Sequence, residues 1–547
     1  MAGPTFQTVK TPFTNMSWTP DVPASALQPT EYNDGLNIET DVRSVKTVAG
    51  EEYILTAVPA GERPIFVTGG FRNNNVWWYI VATLDSNDDG RWYAINVSGI
   101  TNITPGVGSN PSASIAGYSD IVPITASWNG TILFINDSVQ APMYLLPSGT
   151  EFLLYDSAPD NYTWNYNTEW SSLTAGFMRI FSTPNVGSIL IAGNLTADVI
   201  STGTVLKQPY TVRWSQAFGV DSGPTTWEPT LSNVANELEV PLRGPAIDGF
   251  PCNGNFYVMS YWDTVVFQPI SYQTVAAPVL GVRLHTQGRG LLNENCWAAA
   301  DGVVYGVDAR DIWVFNGSQF KPIGDQRVKN YFYANLSSVY ADRTFMINNT
   351  DRYQIELYYA DLDSTGWPIK MISYRYDLDI WNPPRDVYHA SHAAEGPRYG
   401  LLSDGSTIGF IDSDRRVVYS SAQPASELIQ KDVGTSFVNN TAIDTLFRRD
   451  NISFGQKYSN QILLHRCLPE ITGTGNVDIT IGGSLSTGQA VTFKPTVEFD
   501  IDGNSPWVQI DQNDFRQNTI KVEQSSTTDA WQLSAINWQI TITEDSR

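Results

Sequence analysis

Histidine, cysteine and clustered positive charge are all scarce in this chain, and each scarcity removes a class of function. It has four histidines and three cysteines in 547 residues. Cys252, Cys296 and Cys467 are widely spaced, with neither a disulfide framework nor zinc-finger spacing, so they read as small buried apolar residues. Asp and Glu outnumber Lys and Arg by 56 to 33, a net charge of −23, and basic residues form no run longer than the pairs Arg415-Arg416 and Arg448-Arg449. Tight nucleic-acid binding needs a basic patch, so it is not expected. An acidic surface that DNA slides past without sticking remains compatible. No apolar run approaches the ~20 residues of a membrane-spanning helix. The opening MAGPTFQTVKTPFTNMSW has no apolar signal-peptide core, so synthesis in a cytoplasm is the expectation. Asn-x-Ser/Thr occurs twelve times, for example at Asn15, Asn129, Asn194 and Asn451; in a secreted chain these would be glycan acceptors, but a chain this rich in Asn, Ser and Thr produces many by chance.

Charged residues make up only 16% of the chain, too few for many helices with solvated faces, while aromatic residues reach 12%. Aromatic and β-branched residues suit pleated, half-buried surfaces. The stretch DGVVYGVDARDIWVFNG (301–317) shows the pattern: Val303–Val307 and Ile312–Phe315 flank the polar break Asp308–Asp311, and Asn316-Gly317 closes the second run. The same hairpin plan appears at 76–99, 253–268 and 403–421. Hairpin cores recur near 76–97, 131–146, 188–214, 256–268, 303–315, 354–376 and 407–419, at blade-like but irregular intervals. The expected fold is all-β: an irregular β-propeller over 53–455, preceded by an N-terminal extended arm with the first strands (1–52) and followed by a C-terminal antiparallel sheet or sandwich domain (456–547). A β-sandwich with long insertions is the alternative. Helix is expected in fewer than roughly 10% of residues, at 325–336, where Val328, Tyr331, Phe332 and Leu336 share a face, and in ASELIQKDV (425–433).

Motifs that carry chemistry are few. In LDSNDDG, Asp85, Asn87 and Asp89 match the start of an EF-hand-like calcium loop, but Asn96 stands where a bidentate Glu belongs, and the same residues make a good hairpin tip. The tip also approaches a sialidase Asp-box, with its Trp one residue early. His389 and His392 have chelating spacing but no third ligand, and His285 and His465 are isolated. No G-x-S-x-G, H-E-x-x-H or Walker loop occurs; GTGN (473–476) and GGSLSTG (482–488) read as turns. The pairs Asp377/Asp379 and Asp500/Asp502 are too close in sequence to bracket a sugar. Trp262, Trp313 and Trp381 could stack on sugars, but at strand positions they are more often core. No catalytic, cofactor-binding or metal site is therefore expected, and no enzyme.

Several segments together resemble the tail nozzle proteins of short-tailed bacteriophages, the tail tubular protein B or packaged-DNA stabilisation family: NDGLNIETDVRSVKTVAG, YTVRWSQAFGVDSGPTTWEP (210–229) followed by PLRGPAIDGF, the region 288–332, and AWQLSAINWQITITEDSR at the end. The resemblance implies a virion protein made in the bacterial host cytoplasm: a six-subunit ring below the portal and an adaptor (head-to-tail connector) protein. It would carry tail fibres or spikes, meet a plug or needle protein, and pass double-stranded DNA without tight binding, so an acidic or mixed lumen is expected. The alternative from another class is a secreted or virion-associated β-propeller glycan-binding protein or glycoside hydrolase.

Overall fold

In a computed structural model the hairpins close into a ring. The structure describes residues 6–543 apart from 56–57, 73–75, 157–166, 184–186, 200–203, 231–232, 271–279, 402–406, 423–426, 455–460, 487, 504 and 514. Seven four-stranded antiparallel sheets follow one another along the chain. The first strands of these blades are Arg63–Phe71, Thr125–Asn129, Leu173–Thr183, Asp248–Cys252, Trp297–Ala300, Phe345–Asn349 and Ala390–Leu401. They line the axis: the first strands of blades 2, 3 and 4 touch in sequence, as do those of blades 5, 6 and 7, and the blade 7 strand touches that of blade 1. Trp128 Nε1 donates to Thr68 Oγ1 (3.1 Å) between blades 1 and 2, and Trp297 Nε1 to Asp248 Oδ2 (2.8 Å) between blades 4 and 5. Each of the seven expected hairpin cores falls within one blade. The fold is a seven-bladed β-propeller.

The blades form because their hairpin turns are chemically specified. Asn253-Gly254 (φ 47° and 74°) and Asp301-Gly302 (φ 50° and 79°) place both central residues at positive φ, which two-residue turns matched to strand twist require. The Asp308 carboxylate accepts from the backbone N–H groups of Arg310 (2.7 Å) and Asp311 (2.9 Å) and so folds the polar break of the opening hairpin. Two expectations are corrected. Within the stretch 403–421, whose residues 403–406 lie outside the described residues, no hairpin forms: Thr407–Ser421 is one long strand paired with Ala390–Leu401, and the polar 412–414 are absorbed where the register jumps from Pro397↔Arg415 to Arg398↔Ile411. The helix expected at 425–433 is instead the strand Leu428–Lys431, buried between two neighbours; 425–426 lie outside the described residues. The other expected helix is present as Lys329–Asn335.

Blade 7 takes its outermost strand, Glu51–Ile54, from the N-terminal side of the ring, where it pairs with Leu428–Lys431. The remaining strands build a sandwich of two six-stranded sheets. One joins Gln7–Pro12, Ile38–Thr40 and Val45–Thr47 to Gln461–Gly473, Val508–Asn513 and Trp531–Thr543. The other joins Asp34–Leu36 to Ile443–Ile452 and four strands between Asn476 and Ser526. Strands from 7–47 thus lie in both sheets beside strands from 443–543. The last four residues, 544–547, are outside the described residues. Trp531 and Trp538 are buried in the sandwich core, and Trp531 Nε1 donates across it to Thr445 Oγ1 (3.0 Å).

A buried ionic clamp binds sandwich to ring closure. Arg385 donates to Asp432 (2.6 Å) and lies 3.5 Å from Glu51; Arg352 reaches Asp432 (3.1 Å) and Glu39; Lys431 pairs with Glu356 (2.6 Å). Burial opposes the charge on Asp432, but Arg385 and Arg352 outweigh it and hold the carboxyl far below its usual range. The members come from blades 6 and 7, the closing strand and sandwich strand Ile38–Thr40, so every part of the closure must be in place for the charges to be matched.

Candidate functional site

Polar side chains on and just before the inner strands meet across the ring. Arg179, on the first strand of blade 3, crosses the centre. Its guanidinium donates to Asp248 with Nε (2.9 Å) and Nη2 (2.6 Å), to Asn295 Oδ1 (2.8 Å) and to the Ala126 carbonyl (3.1 Å). Asn295 in turn donates to the Ile124 carbonyl (2.9 Å), and its own carbonyl accepts from Met346 N–H (2.9 Å). Asp248 is fully buried and takes the Trp297 indole as a further donor. This bidentate pair, with its remaining hydrogen bonds satisfied, is a plug tying together blades 2 to 6.

Above the plug lies a mouth with a cavity of about 60 Å³, lined among others by Asp120, Glu294, Asp342, Arg343 and His392. That is room for a few waters, each needing roughly 10–15 Å³ of such space. Asp120 is ion-paired to Arg63 (2.9 Å) and Arg343 (3.5 Å), and the Arg343 guanidinium lies 4.3 Å from the centre of the Trp367 ring. Among the described residues Glu294 forms no salt bridge. Burial, reinforced by the charges of Asp248 and Asp342 and only partly offset by Arg179, pushes its carboxyl up to about 7. His392 is the neutral counterpart: burial, with Arg179 adding to it, lowers its ring to about 4, while Nδ1 bonds the Val67 carbonyl (2.9 Å) and the ring packs on Phe66. A proton donor near neutrality, carboxylates and room for water thus meet at one point, which is the setting for general acid–base chemistry.

None of these acids was among the residues singled out from sequence. Asp248, Glu294 and Asp342 each stand at or just before the first strand of a blade, in IDGF, NENCW and ADRTF. An acidic residue recurring at the entry to inner strands is the signal that could have found them.

The singled-out residues lie elsewhere. Asp85, Asn87 and Asp89 form the tip between the second and third strands of blade 1. One Asp85 oxygen accepts from the N–H groups of Asn87 (2.8 Å) and Asp89 (3.1 Å), the other pairs with Arg91 (3.1 Å), and Asp89 accepts from Ser114 (3.1 Å). Among the described residues no group of three or more His, Cys, Asp or Glu is placed to hold a metal. His389 packs against Tyr388 and His392 faces the axis, so they do not converge. Asp377 pairs with Arg375 and Asp379 with Arg327. Asp500 accepts from the Asp502 N–H within a turn. Trp313 and Trp381 are buried core, whereas Trp262 is 44% exposed at a blade 4 tip. Cys252, Cys296 and Cys467 are free and buried.

No family model matches this chain, and no curated protein matches it. Among solved structures it is similar to an exo-β-1,3-galactanase from Phanerochaete chrysosporium (10% identity, 76% of this chain and 95% of that one, TM-score 0.24). It is also similar to a glycoside hydrolase family 43 arabinoxylan arabinofuranohydrolase from Bacillus subtilis (11%, 93% and 95%, TM-score 0.23). A third is YCF48 from Cyanidioschyzon merolae (8%, 70% and 99%, TM-score 0.33). Likeness at this level assigns no site, and the propeller stands on its own strand pairing.

These neighbours are glycoside hydrolases and YCF48 rather than tail nozzle proteins, and the resemblance to that family is corrected. The physical reason lies in where its motifs fall. In 210–229, Trp214 donates to the Val234 carbonyl (2.7 Å) and Trp227 packs edge-on against Trp170 (5.0 Å), so the segment holds blade 3 together. Residues 288–332 contain the whole of blade 5, and 34–50 and 531–543 supply sandwich strands. The likeness reports the packing of a hairpin-built protein.

Proposed function

We propose that this chain is a carbohydrate-active β-propeller whose hydrolytic centre is the axial mouth. The observation that carries the reading is Glu294: a carboxyl raised to about 7, beside a water-sized cavity that it shares with Asp342 and the ion-paired Asp120. Glycoside hydrolysis needs a carboxylic acid that is still protonated at working pH and a second carboxylate that activates water or attacks the sugar. In this reading the sugar lies over the mouth, Glu294 protonates the leaving oxygen, and a water in the cavity, deprotonated by Asp342, attacks the anomeric carbon. Arg343 and Trp367 form the wall against which the ring rests.

The test is a panel of aryl pentosides and hexosides at pH 5 to 7, with wild type, Glu294→Gln and Asp342→Asn. Turnover that falls at least about 100-fold in Glu294→Gln, in a variant that still melts cooperatively well above the assay temperature, is expected for the loss of a general acid. Turnover that is unchanged in Glu294→Gln overturns the assignment.

A second reading, glycan binding without hydrolysis, uses the same wall of Arg343 and Trp367 and needs no acid. Binding of an oligosaccharide with no release of aryl alcohol selects it.

A further inference from the structure

On the opposite footing from the acidic axis is a cleft between the edges of blades 4 and 5. Its volume is about 630 Å³, an order of magnitude larger than the axial cavity. Arg289, Arg310 and Lys329 line it together with His285 and Phe320, against one acidic residue, Asp311. Arg243 adds a fourth cation at the rim, donating to Gln287 of the cleft wall. Carboxylates outside the wall also reach these cations, Asp263 to Arg243 (3.6 Å) and Asp325 to Lys329 (3.8 Å), so the charge left over at the cleft is that of Arg310.

Two of the lining cations have carboxylate partners: Arg289 lies 3.2 Å from Asp308, and Lys329 lies 3.5 Å from Asp311. Arg310 has none among the described residues. It is exposed and extends past Gly288, where a Cβ would come within 3.5 Å of its Nη1, to lie 5.7 Å from the centre of the Trp262 ring. Gly288 has φ 95°, so any side chain here is strained, while a Cβ would make only ordinary contact with the arginine. Trp262, 44% exposed, is an indole left at the surface while nine other tryptophans are almost fully buried. An unpaired guanidinium beside an exposed aromatic face suits a ligand with an anionic group and a flat apolar face. Gln287, Ser318 and Gln319 supply amide and hydroxyl groups for hydroxyl partners.

We propose that this cleft binds an acidic saccharide, a sugar chain bearing carboxylate or sulfate groups. Arg310 and Lys329 meet the anionic groups and Trp262 receives a ring face. The saccharide half of the proposal rests on the carbohydrate reading above; the anion half does not.

The probes are hexagalacturonate, the neutral maltohexaose and inorganic phosphate, each titrated calorimetrically into the full chain at low ionic strength. Hexagalacturonate is expected to bind, maltohexaose not, and phosphate more weakly. Arg310→Ala should weaken hexagalacturonate at least about tenfold, the loss of one charge-assisted hydrogen bond. Trp262→Ala should weaken it without changing the salt dependence, whereas Arg310→Ala should flatten that dependence. No binding of hexagalacturonate, or binding unchanged in Arg310→Ala, overturns the cleft. Phosphate binding as tightly as the hexamer overturns the saccharide half alone. The axial reading is scored separately by aryl-glycoside turnover in Arg310→Ala, which should match wild type.

Discussion

Two buried charge clusters hold this propeller, and they differ in balance. In the clamp at the ring closure, Arg352, Arg385 and Lys431 face Glu39, Glu51, Glu356 and Asp432, and Lys46 approaches Glu39 from the rim (3.2 Å). Tyr419 donates to the remaining oxygen of Glu51 and Asn349 to that of Glu356, while Tyr358 shares with Lys431 the other Glu356 oxygen. At the axis, Arg179 is consumed by Asp248, and Asp120 takes Arg63 and Arg343, which leaves Glu294 without a cation of its own. A structural cluster matches its charges because an unmatched buried charge costs several kcal/mol. The axis leaves one carboxyl to be neutralised by a proton instead, and that imbalance separates a candidate site from a fastening.

The comparison breaks most visibly at the clamp. Asp432→Asn leaves Arg385 and Arg352 facing each other with one anion fewer, and a loss of about 3–5 kcal/mol is expected, read as a fall in denaturation midpoint. A loss below about 1 kcal/mol would mean that water reaches the clamp and that it is no tighter than a surface pair.

The next effect is at the mouth and depends on pH. Glu294 ordinarily titrates near 4.5 and is raised to about 7, so the folded chain holds its proton more tightly than the unfolded one. Its stabilising contribution is complete below about 4.5, declines as pH rises, and is gone above about 7. His392 runs the other way: lowered from 6.5 to about 4, it stabilises the fold above about 6.5, and that contribution is lost as pH falls towards about 4. Between about 4.5 and 6.5 the two slopes oppose each other. Glu294→Gln should therefore gain up to roughly 3 kcal/mol over wild type at pH 8, and its melting temperature should fall more steeply than that of wild type on acidification through this window. Parallel pH profiles for the two proteins would contradict the raised carboxyl.

The smallest effect is at the blade 1 tip. Asp85→Ala removes two turn hydrogen bonds and one ion pair, and a loss of about 1 kcal/mol is expected. Because Arg91 and two N–H groups already engage the Asp85 oxygens, millimolar calcium should leave the wild-type melting temperature unchanged. A rise of several degrees with calcium would show that the loop rearranges to take the ion.

The blades were legible in sequence because hairpins are local. Val303–Val307 and Ile312–Phe315 carry their own turn chemistry, and the strands they predict are the strands observed. The closure was not legible. Glu51–Ile54 is four residues long, and Tyr419, whose hydroxyl reaches Glu51, lies 368 positions away. LIQK at 428–431 reads as helix because Leu, Gln and Lys are good helix formers, but pairing on both sides overrides that preference. The candidate site was hidden for a related reason. Asp120, Glu294, Asp342 and His392 come from different places around the ring, one residue at a time, and meet only when it closes.

The strand Glu51–Ile54 has a further consequence for how the protein is made. It leaves the ribosome before any blade, yet its partner in blade 7 is among the last parts of the propeller to emerge. The sandwich strands within 7–47 wait longer still, for partners in 443–543. Throughout synthesis the nascent chain therefore carries unpaired β-edges at its leading end, with blades collapsing behind them. Long-range pairing of this kind is slow, and open edges invite pairing with other chains. Yield should thus be limited by the completion of the ring, rising at low temperature and with holdase chaperones, more than by the stability of any single blade.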